Sequence, residues 1–203
     1  MPDFDEGEAL DGLEQQSLGI APGNLAVGEG DIVNVTYVGE QASYSNTLGV
    51  FTVTADGTLK AETILIKSSD HTVPGQVFSY VASSNAVSTG FFILANGANS
   101  TLLQGLDLNT GHIDFVFDYG LPTQREAKVS DDGSHVKLVY TSNLGVETVV
   151  DVPTYFTSDR GGLDNLNADD TVRAVSGLPD SGDDTVLRIG FEDLPNLGNK
   201  DFN

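Results

Sequence analysis

The 203-residue sequence contains no cysteine and only nine basic residues. The lack of cysteine excludes disulfide bonds, thiol nucleophiles and thiolate metal sites. The 9 Lys and Arg residues stand against 30 Asp and Glu residues, which gives a formal net charge of −21. A protein without basic residues to neutralise phosphates has no electrostatic footprint for nucleic acid. We therefore expect neither a nucleic-acid partner nor binding to anionic membrane surfaces.

Long apolar runs are also missing, because none approaches the roughly 20 residues of a membrane span. We therefore expect no membrane insertion. Residues 1–16, MPDFDEGEALDGLEQQ, have neither the basic n-region nor the apolar h-region of a secretory signal. We expect a domain of a longer protein whose secretion is directed from elsewhere in that protein. Bound cations or salt would screen the acidic excess, which suits a calcium-rich extracellular medium. A merely soluble acidic protein is the alternative.

The common catalytic motifs are absent from the sequence. It has no P-loop, no G-x-S-x-G elbow, no H-E-x-x-H helix and no G-x-G-x-x-G after a strand. Its three histidines, His71, His112 and His135, are scattered. Thirty acidic residues leave a glycosidase-like carboxylate pair open, although the sequence singles none out. We predict that the protein is not an enzyme.

Alternating apolar and polar residues predict β-strands along most of the chain. In DIVNVTYV, for example, Val33, Val35 and Tyr37 share one face. Similar runs follow at short spacing: LGVFTVT, KAETILI, QVFSYVA, GFFILAN, HIDFVFD, HVKLVYTS, GVETVVDV and TVLRIGF. Asp56-Gly57 predicts a two-residue hairpin turn. The pattern predicts an all-β fold, an antiparallel β-sandwich or jelly roll with long loops.

Helical periodicity is confined to two short candidates, residues 4–16 and 163–169. Residues 1–30 are acidic and rich in glycine, and we interpret them as a linker or arm. No Pro/Ser-rich linker interrupts the strands that follow. We therefore expect residues 31–203 to form a single domain, monomeric in isolation.

Residues 155–170, YFTSDRGGLDNLNADD, mix oxygen-bearing side chains with the flexible pair Gly161 and Gly162. Carboxylate, amide and carbonyl oxygens on such a loop are the ligands that Ca²⁺ prefers. An Asx-rich surface loop is the alternative, because Asp and Asn also bond to their own backbone. The candidate metal ligands here are Ser158, Asp159, Asn167 and Asp169. The candidate ligand-binding residues are Asp159, Arg160, Gly161, Gly162 and Asn165.

A second group of oxygen donors lies in residues 191–203, FEDLPNLGNKDFN. Glu192 and Asp193 follow a predicted strand, and Asp201 and Asn203 close a Gly/Pro-containing loop. Gathered carboxylates repel one another unless a cation neutralises them. A flexible acidic tail is the alternative, but the aromatic residues near both ends of the loop argue against it. The candidate calcium ligands here are Glu192, Asp193, Asp201 and Asn203.

Several of these segments resemble one known family. The segments TSD at 157–159, IGFEDL at 189–194 and GNKDFN at 198–203 are similar to a calcium-dependent ligand-binding domain of giant bacterial RTX adhesins. YSNTLGVFTV at 44–53 and GFFILANG at 90–97 resemble the N-terminal half of that family. The resemblance covers residues 34–203. The family often has Gly-Gly-Asp before its DFN, whereas this chain has Gly198-Asn199-Lys200, in which Asn199 keeps an oxygen donor but lacks the negative charge.

The resemblance implies a β-sandwich that holds several Ca²⁺ ions and acts at the bacterial cell surface in adhesion and biofilm formation. It further implies that one calcium engages the free carboxylate of a short peptide on a host or neighbouring cell. On that basis Glu192, Asp193, Asp201 and Asn203 would hold structural calcium, and Asp159, Asn167 and Asp169 the ligand-facing ion. Three alternatives remain open at this stage: a calcium-dependent glycan-binding module, a calcium-stabilised spacer and a carboxylate-dependent glycan hydrolase or lyase.

Overall fold

A computed structural model describes residues 25–40, 43–157, 166–168, 173–177 and 186–193. Within these residues the protein is built of antiparallel β-strands with short helical segments, which confirms the predicted all-β class. One α-helix, α1, spans Thr101–Gln104, and 3-10 turns occupy Gly97–Asn99 and Gly133–His135. The strands are β1 (Ile32–Thr36), β2 (Thr47–Thr54), β3 (Leu59–Ile66), β4 (Val77–Val81), β5 (Ala86–Leu94), β6 (His112–Phe117), β7 (Arg125–Glu126), β8 (Val136–Thr141), β9 (Glu147–Val149), β10 (Thr154–Phe156), β11 (Ala174–Gly177) and β12 (Arg188–Phe191).

The central layer is a four-stranded sheet in the order β10-β5-β2-β3. Its two middle strands, β2 and β5, are buried along nearly their whole length. Their sequences, TLGVFTVT and AVSTGFFIL, contain almost no charged or large polar residues, as expected for strands covered on both faces. A second four-stranded sheet, β7-β6-β8-β9, contributes to the core on one side.

Four phenylalanines fill the space between these two sheets. The ring centroid of Phe115 on β6 lies 5.1 Å from Phe92 and 5.1 Å from Phe156. Phe51 lies 5.9 Å from Phe156 and meets Phe115 edge-on at 6.1 Å. Each buried ring stabilises the fold by about 1.5–3 kcal/mol through removal from water. The edge-to-face contacts add about 0.5–1.5 kcal/mol per pair.

Two glycines make this aromatic packing possible. Gly49 on β2 pairs with Phe92 on β5, and Phe51 on β2 pairs with Gly90 on β5. A Cβ atom on Gly49 would lie 2.1 Å from the ring of Phe92, and one on Gly90 would lie 2.3 Å from the ring of Phe51. The Cζ end of each ring therefore lies over the glycine opposite it, a position that no larger residue can occupy without displacing the ring.

The other face of the central sheet is covered by two ribbons, β1–β4 and β11–β12. Val33, Val35 and Tyr80 of the first ribbon and Ile189 and Phe191 of the second pack against Val50 and Phe91. Val33 and Val35, which were predicted to share one face of DIVNVTYV, both pack toward the core. The structure adds that the two ribbons form a third layer.

Residues before β1 are already joined to the sheet. Ala26 forms a bridge with Ser88, and the amide of Val27 donates to the carbonyl of Val87 at 3.2 Å. Leu25 packs in the cluster around Val50. Pairing with the central sheet therefore begins within the stretch that we interpreted as an arm, ahead of Asp31.

The hairpin predicted at Asp56-Gly57 is present, but its loop has three residues. The amide of Thr54 donates to the carbonyl of Thr58 at 3.0 Å, and the amide of Gly57 donates to the carbonyl of Thr54 at 2.8 Å. Gly57 has φ 84, the left-handed conformation that a type I turn followed by a G1 bulge requires. This extra residue determines the register in which β2 pairs with β3.

Candidate cation site at the loop junction

Oxygen-bearing side chains from four segments meet at one end of the central sheet. We call this group, Glu40, Asn46, Ser69, Asp70 and Asp193, the oxygen junction. Glu40 follows β1, Asn46 precedes β2, Ser69 and Asp70 follow β3, and Asp193 follows β12. Glu40 and Asn46 are close in sequence, but Ser69, Asp70 and above all Asp193 are not, so the sheet topology brings these side chains together.

Asn46 is the central hydrogen-bonding residue of the junction. Its amide nitrogen donates to Ser69 Oγ at 2.7 Å, and its carbonyl accepts from the Ser69 amide at 2.9 Å. Its Oδ1 accepts from the amide of Asn96 at 2.9 Å, and its Nδ2 donates to Asp193 Oδ2 at 2.5 Å. One side chain thus fixes the start of β2, the end of β5 and the end of β12 relative to each other.

Asp193 is almost completely buried, with 2% of its surface exposed. Phe191, two residues earlier in the chain, packs against a small apolar cluster of Ile93, Ala95 and Tyr155. A carboxylate in such surroundings is costly to desolvate unless polar partners or cations compensate for the lost water. Asn46 supplies one such partner.

Glu40 has a strongly perturbed carboxyl group. Its pKa is raised to about 7, first by burial and then by a hydrogen bond with the side chain of Asp70. The negative charges of Asp70 and Asp193 raise it further, while a hydrogen bond from Ser69 acts in the opposite direction. Near neutral pH the group therefore holds a proton that an isolated Glu would have released.

Two further observations indicate that the oxygen junction has an excess of negative charge and too few hydrogen-bond donors. Burial raises the pKa of Tyr37, and the charges of Glu40 and Asp70 raise it further. One oxygen of Glu40, Oε1, is buried and receives no hydrogen bond from the described part of the chain. A buried carboxylate oxygen without a donor is the position at which a cation or a proton compensates for lost hydration.

The donors of the junction fit a hard cation. Carboxylate, amide and hydroxyl oxygens are the ligands of Ca²⁺, whereas transition metals favour the nitrogen and sulfur donors that are missing here. Glu40 and Asp70 would supply the two charges and Asn46 and Ser69 the neutral oxygens. Among the residues that the structure describes, no three Asp, Glu or His side chains are grouped closely enough to hold one ion. Water or a ligand would therefore complete the coordination.

Three of the residues proposed from the sequence fall within the described ranges: Asn167, Glu192 and Asp193. Only Asp193 belongs to the oxygen junction. Glu192 is fully buried, and its amide donates to the carbonyl of Arg173 at 2.9 Å. Arg173 is itself fully buried, with its guanidinium 4.4 Å from the ring centroid of Tyr155. Glu192 therefore lies in a region that already contains a positive charge.

Asn167 is 1% exposed and holds residues 166–168 against β10. Its Oδ1 accepts from the amide of Phe156 at 2.8 Å, and its Nδ2 donates to the carbonyl of the same residue at 3.3 Å. The side chain thus forms the same pair of hydrogen bonds with Phe156 that the backbone of a neighbouring strand would form. The remaining predicted residues lie outside the described ranges: Ser158, Asp159, Arg160, Gly161, Gly162, Asn165, Asp169, Asp201 and Asn203.

Sequence reasoning missed Glu40, Asn46, Ser69 and Asp70. Asp70 follows only two serines and Glu40 has no acidic neighbour in sequence, so neither lies in an Asp- and Asn-rich run like those of residues 155–170 or 191–203. The one signal they carry is their position just beyond the ends of β1 and β3. That signal becomes informative only when the strand order is known.

A separate polar network surrounds β7. Asp131 accepts two hydrogen bonds from Arg125, at 2.6 and 2.7 Å, and one from the amide of Lys128 at 2.7 Å. The hydrogen bonds from Arg125 hold the pKa of Asp131 below its usual value. His135 bonds to Asp118 through Nδ1 at 2.7 Å, which raises the pKa of the imidazole. These oppositely charged groups compensate each other, unlike the carboxyls of the oxygen junction.

Within the described residues no helix is both long and apolar enough to span a membrane. The sequence matches no protein-family model, and neither the curated proteins nor the solved structures give a significant match.

Proposed function

We propose that this protein is a non-enzymatic, calcium-dependent binding module of a secreted bacterial adhesin of the RTX type. Its ligand would be a short peptide on another cell, held through a terminal carboxylate. The observation that carries the calcium proposal is the hydrogen-bonded pair of Glu40 and Asp70 near the charge of Asp193, with the pKa of Glu40 raised to about 7. The adhesin role rests on the sequence resemblance.

The electrostatics of the whole chain support a cation partner. A net charge of −21 opposes compaction through self-repulsion, and a bound divalent cation reduces that repulsion where it is strongest. At the oxygen junction a cation would replace the proton held by Glu40, because carboxylates must be deprotonated to ligate metal. Calcium binding is therefore expected to release protons near neutral pH.

The chemistry of a calcium ion also suits carboxylate capture. Ca²⁺ takes about 6–8 oxygen ligands, whereas Glu40, Asp70, Asn46 and Ser69 would supply four if each bound through one oxygen. Positions that the protein leaves to water could accept the carboxylate of a peptide. Residues of the protein would then bind and orient the ligand, with no bond made or broken.

Thermal unfolding in calcium and in EDTA tests the metal requirement. With a dissociation constant near 10⁻⁴–10⁻³ M, a tenfold excess of ion stabilises the fold by about 1.4 kcal/mol per site. We expect the melting temperature to rise by at least several degrees in calcium. Asp70→Asn should remove most of this increment, whereas Asp151→Asn, which neutralises an exposed carboxylate elsewhere, should preserve it. An identical melt in calcium and EDTA would refute every calcium-based role.

Calorimetry with short peptides tests the ligand. Peptides with a free C-terminus should bind in calcium, and the same peptides with an amidated C-terminus should not. Binding to a glycan panel alone would assign the site to sugars. Calcium-dependent stability without binding to peptides or glycans would indicate that the protein is a calcium-stabilised spacer module.

A further inference from the structure

The β1–β4 ribbon has an exposed apolar outer face. Ile32 and Val81 form a cross-strand pair with 68% and 59% of their surfaces exposed, and Val77 is 57% exposed opposite Thr36. Val38 and Val73, just beyond that end of the ribbon, are also exposed. These five residues are half of the ten large hydrophobic residues exposed in the described part of the chain. Because these exposed residues are concentrated on one ribbon, they form a single apolar surface instead of being scattered over the protein.

The outer edge of β1 also presents open backbone groups. The carbonyl of Asp31 accepts from the Ala82 amide at 2.9 Å, and Tyr37 exchanges hydrogen bonds with Gln76 and Gly75. Alternation along the strand therefore points the backbone amides and carbonyls of the odd-numbered residues of β1 toward β4. The amides and carbonyls of Ile32, Asn34 and Thr36 point to the opposite edge, where no strand in the described ranges pairs with them.

Natural proteins protect exposed edge strands with proline, lysine, inward-pointing charges or bulges. The β1 strand, IVNVT, has none of these. Residues 32–38 and 72–83 contain no Asp, Glu, Lys or Arg, although the chain carries 30 acidic residues. The ribbon is thus a charge-free surface on a strongly acidic protein, where a docking segment meets the least local repulsion.

We propose that the β1 edge accepts an extended segment of another polypeptide as a third antiparallel strand. Five exposed aliphatic side chains offer on the order of 500 Å² of apolar surface. That is less than the roughly 800 Å² per partner of a stable interface between folded proteins. An added strand compensates with main-chain hydrogen bonds, which give affinity while alternate side chains give selectivity.

The charge of the protein defines the chemistry of that segment. A second copy of this chain would bring another net charge of −21, which opposes association. The segment that fits is uncharged or basic, with β-branched side chains on the face that continues Ile32 and Val77. Its binding requires no metal, so it is independent of the calcium-dependent function proposed above.

The probe is a synthetic peptide with acetyl and amide caps, in which alternating Thr and Val residues lie between pairs of Lys. Hydrogen exchange of the full chain is measured by NMR with and without the peptide, in EDTA. We expect the amides of Ile32, Asn34 and Thr36 to exchange at least about tenfold more slowly with the peptide, because they become hydrogen-bonded. The amides of Val33 and Val35, which already face β4, serve as internal controls.

The matched control is the same peptide with N-methyl groups on alternate residues, which removes its donors but preserves its charge and side chains. It should bind at least tenfold more weakly. Asn34→Pro removes an outward-facing amide and should have the same effect. The N-methyl comparison uses the unaltered protein, so the test holds even if that variant folds poorly.

Equal binding of the methylated and unmethylated peptides would overturn the proposal, as would protection confined to residues outside β1. Sedimentation of the protein alone provides a second check. A dimer that Asn34→Pro dissociates would assign the edge to a second copy and also overturn it. A monomer in that experiment, with peptide-dependent protection of β1, would support it.

Discussion

Glu40 is the residue whose charge state best reports on the oxygen junction. Its pKa is raised from 4.5 to about 7, so its contribution to folding is fully present below about pH 4.5 and declines as the pH rises toward 7. In EDTA, Glu40→Gln should therefore weaken the loss of stability between these pH values. We expect the variant to melt at a higher temperature than the parent at pH 8 and at a similar one at pH 4.

Calcium provides the control for this prediction. Because a bound cation favours the ionised carboxylate, calcium should raise the melting temperature of the parent protein most at pH 8. The Glu40→Gln variant, with one charged ligand fewer, should gain less. A parent and a variant with parallel pH profiles in EDTA would contradict the assigned role of Glu40.

Gly49 is the clearest residue-scale test of the aromatic core. Gly49→Ala would place a methyl group 2.1 Å from the ring of Phe92, which must then move into a densely packed cluster. We expect a loss of about 1–3 kcal/mol in the free energy of unfolding, measured by denaturant titration.

Gly105→Ala is the matched control for Gly49→Ala. Gly105 has a right-handed helical conformation, and a Cβ there would make contacts no closer than 3.4 Å. Its effect should stay within about 0.5 kcal/mol. Equal losses for both variants would show that the Phe92 ring is not packed as described.

At the scale of elements, the short strand β7 depends on the ion pair between its own Arg125 and Asp131, which follows the strand. Asp131→Ala removes two hydrogen bonds from Arg125 and one from the Lys128 amide. We expect the melting temperature to fall by on the order of a few degrees. The exchange of amides in β7 and in residues 127–131 should accelerate more than that of β2.

The pH dependence of this element runs opposite to that of Glu40. Because Arg125 lowers the pKa of Asp131, its stabilisation is present above about pH 3.9 and disappears as the pH falls through the lowered value. Asp131→Ala should therefore approach the stability of the parent in strong acid. An undiminished difference there would show that lost packing, not lost charge, causes the effect.

The strands themselves show which elements a sequence can predict. Alternation predicted β1, β2, β6 and β8, and the run GFFILAN predicted the second half of β5. The strands β7, β10 and β11 have two to four residues and, unlike the equally short β9 and β12, do not lie in a longer run that was predicted as a strand. They are held by tertiary contacts such as the pairing of Asn167 with Phe156.

At the scale of the whole molecule, the net charge of −21 makes stability depend on ions. In EDTA, raising sodium chloride from about 0.01 M to 0.15 M shortens the screening length from about 30 Å to 8 Å and should raise the melting temperature. Calcium should produce the same increase at millimolar concentration, with magnesium less effective because it demands a tighter geometry. Equal effects of the two ions would indicate screening instead of a site.

The sequence by itself determined the all-β class, the positions of most strands and the excess of acidic charge, because alternation and composition are local properties. Only the tertiary structure decided that the central sheet is covered on both faces and that Glu40, Asp70 and Asp193 share one junction. Residues separated by more than 100 positions meet there because non-consecutive strands are neighbours. Such neighbours are selected by packing of the whole core, and no single segment encodes them.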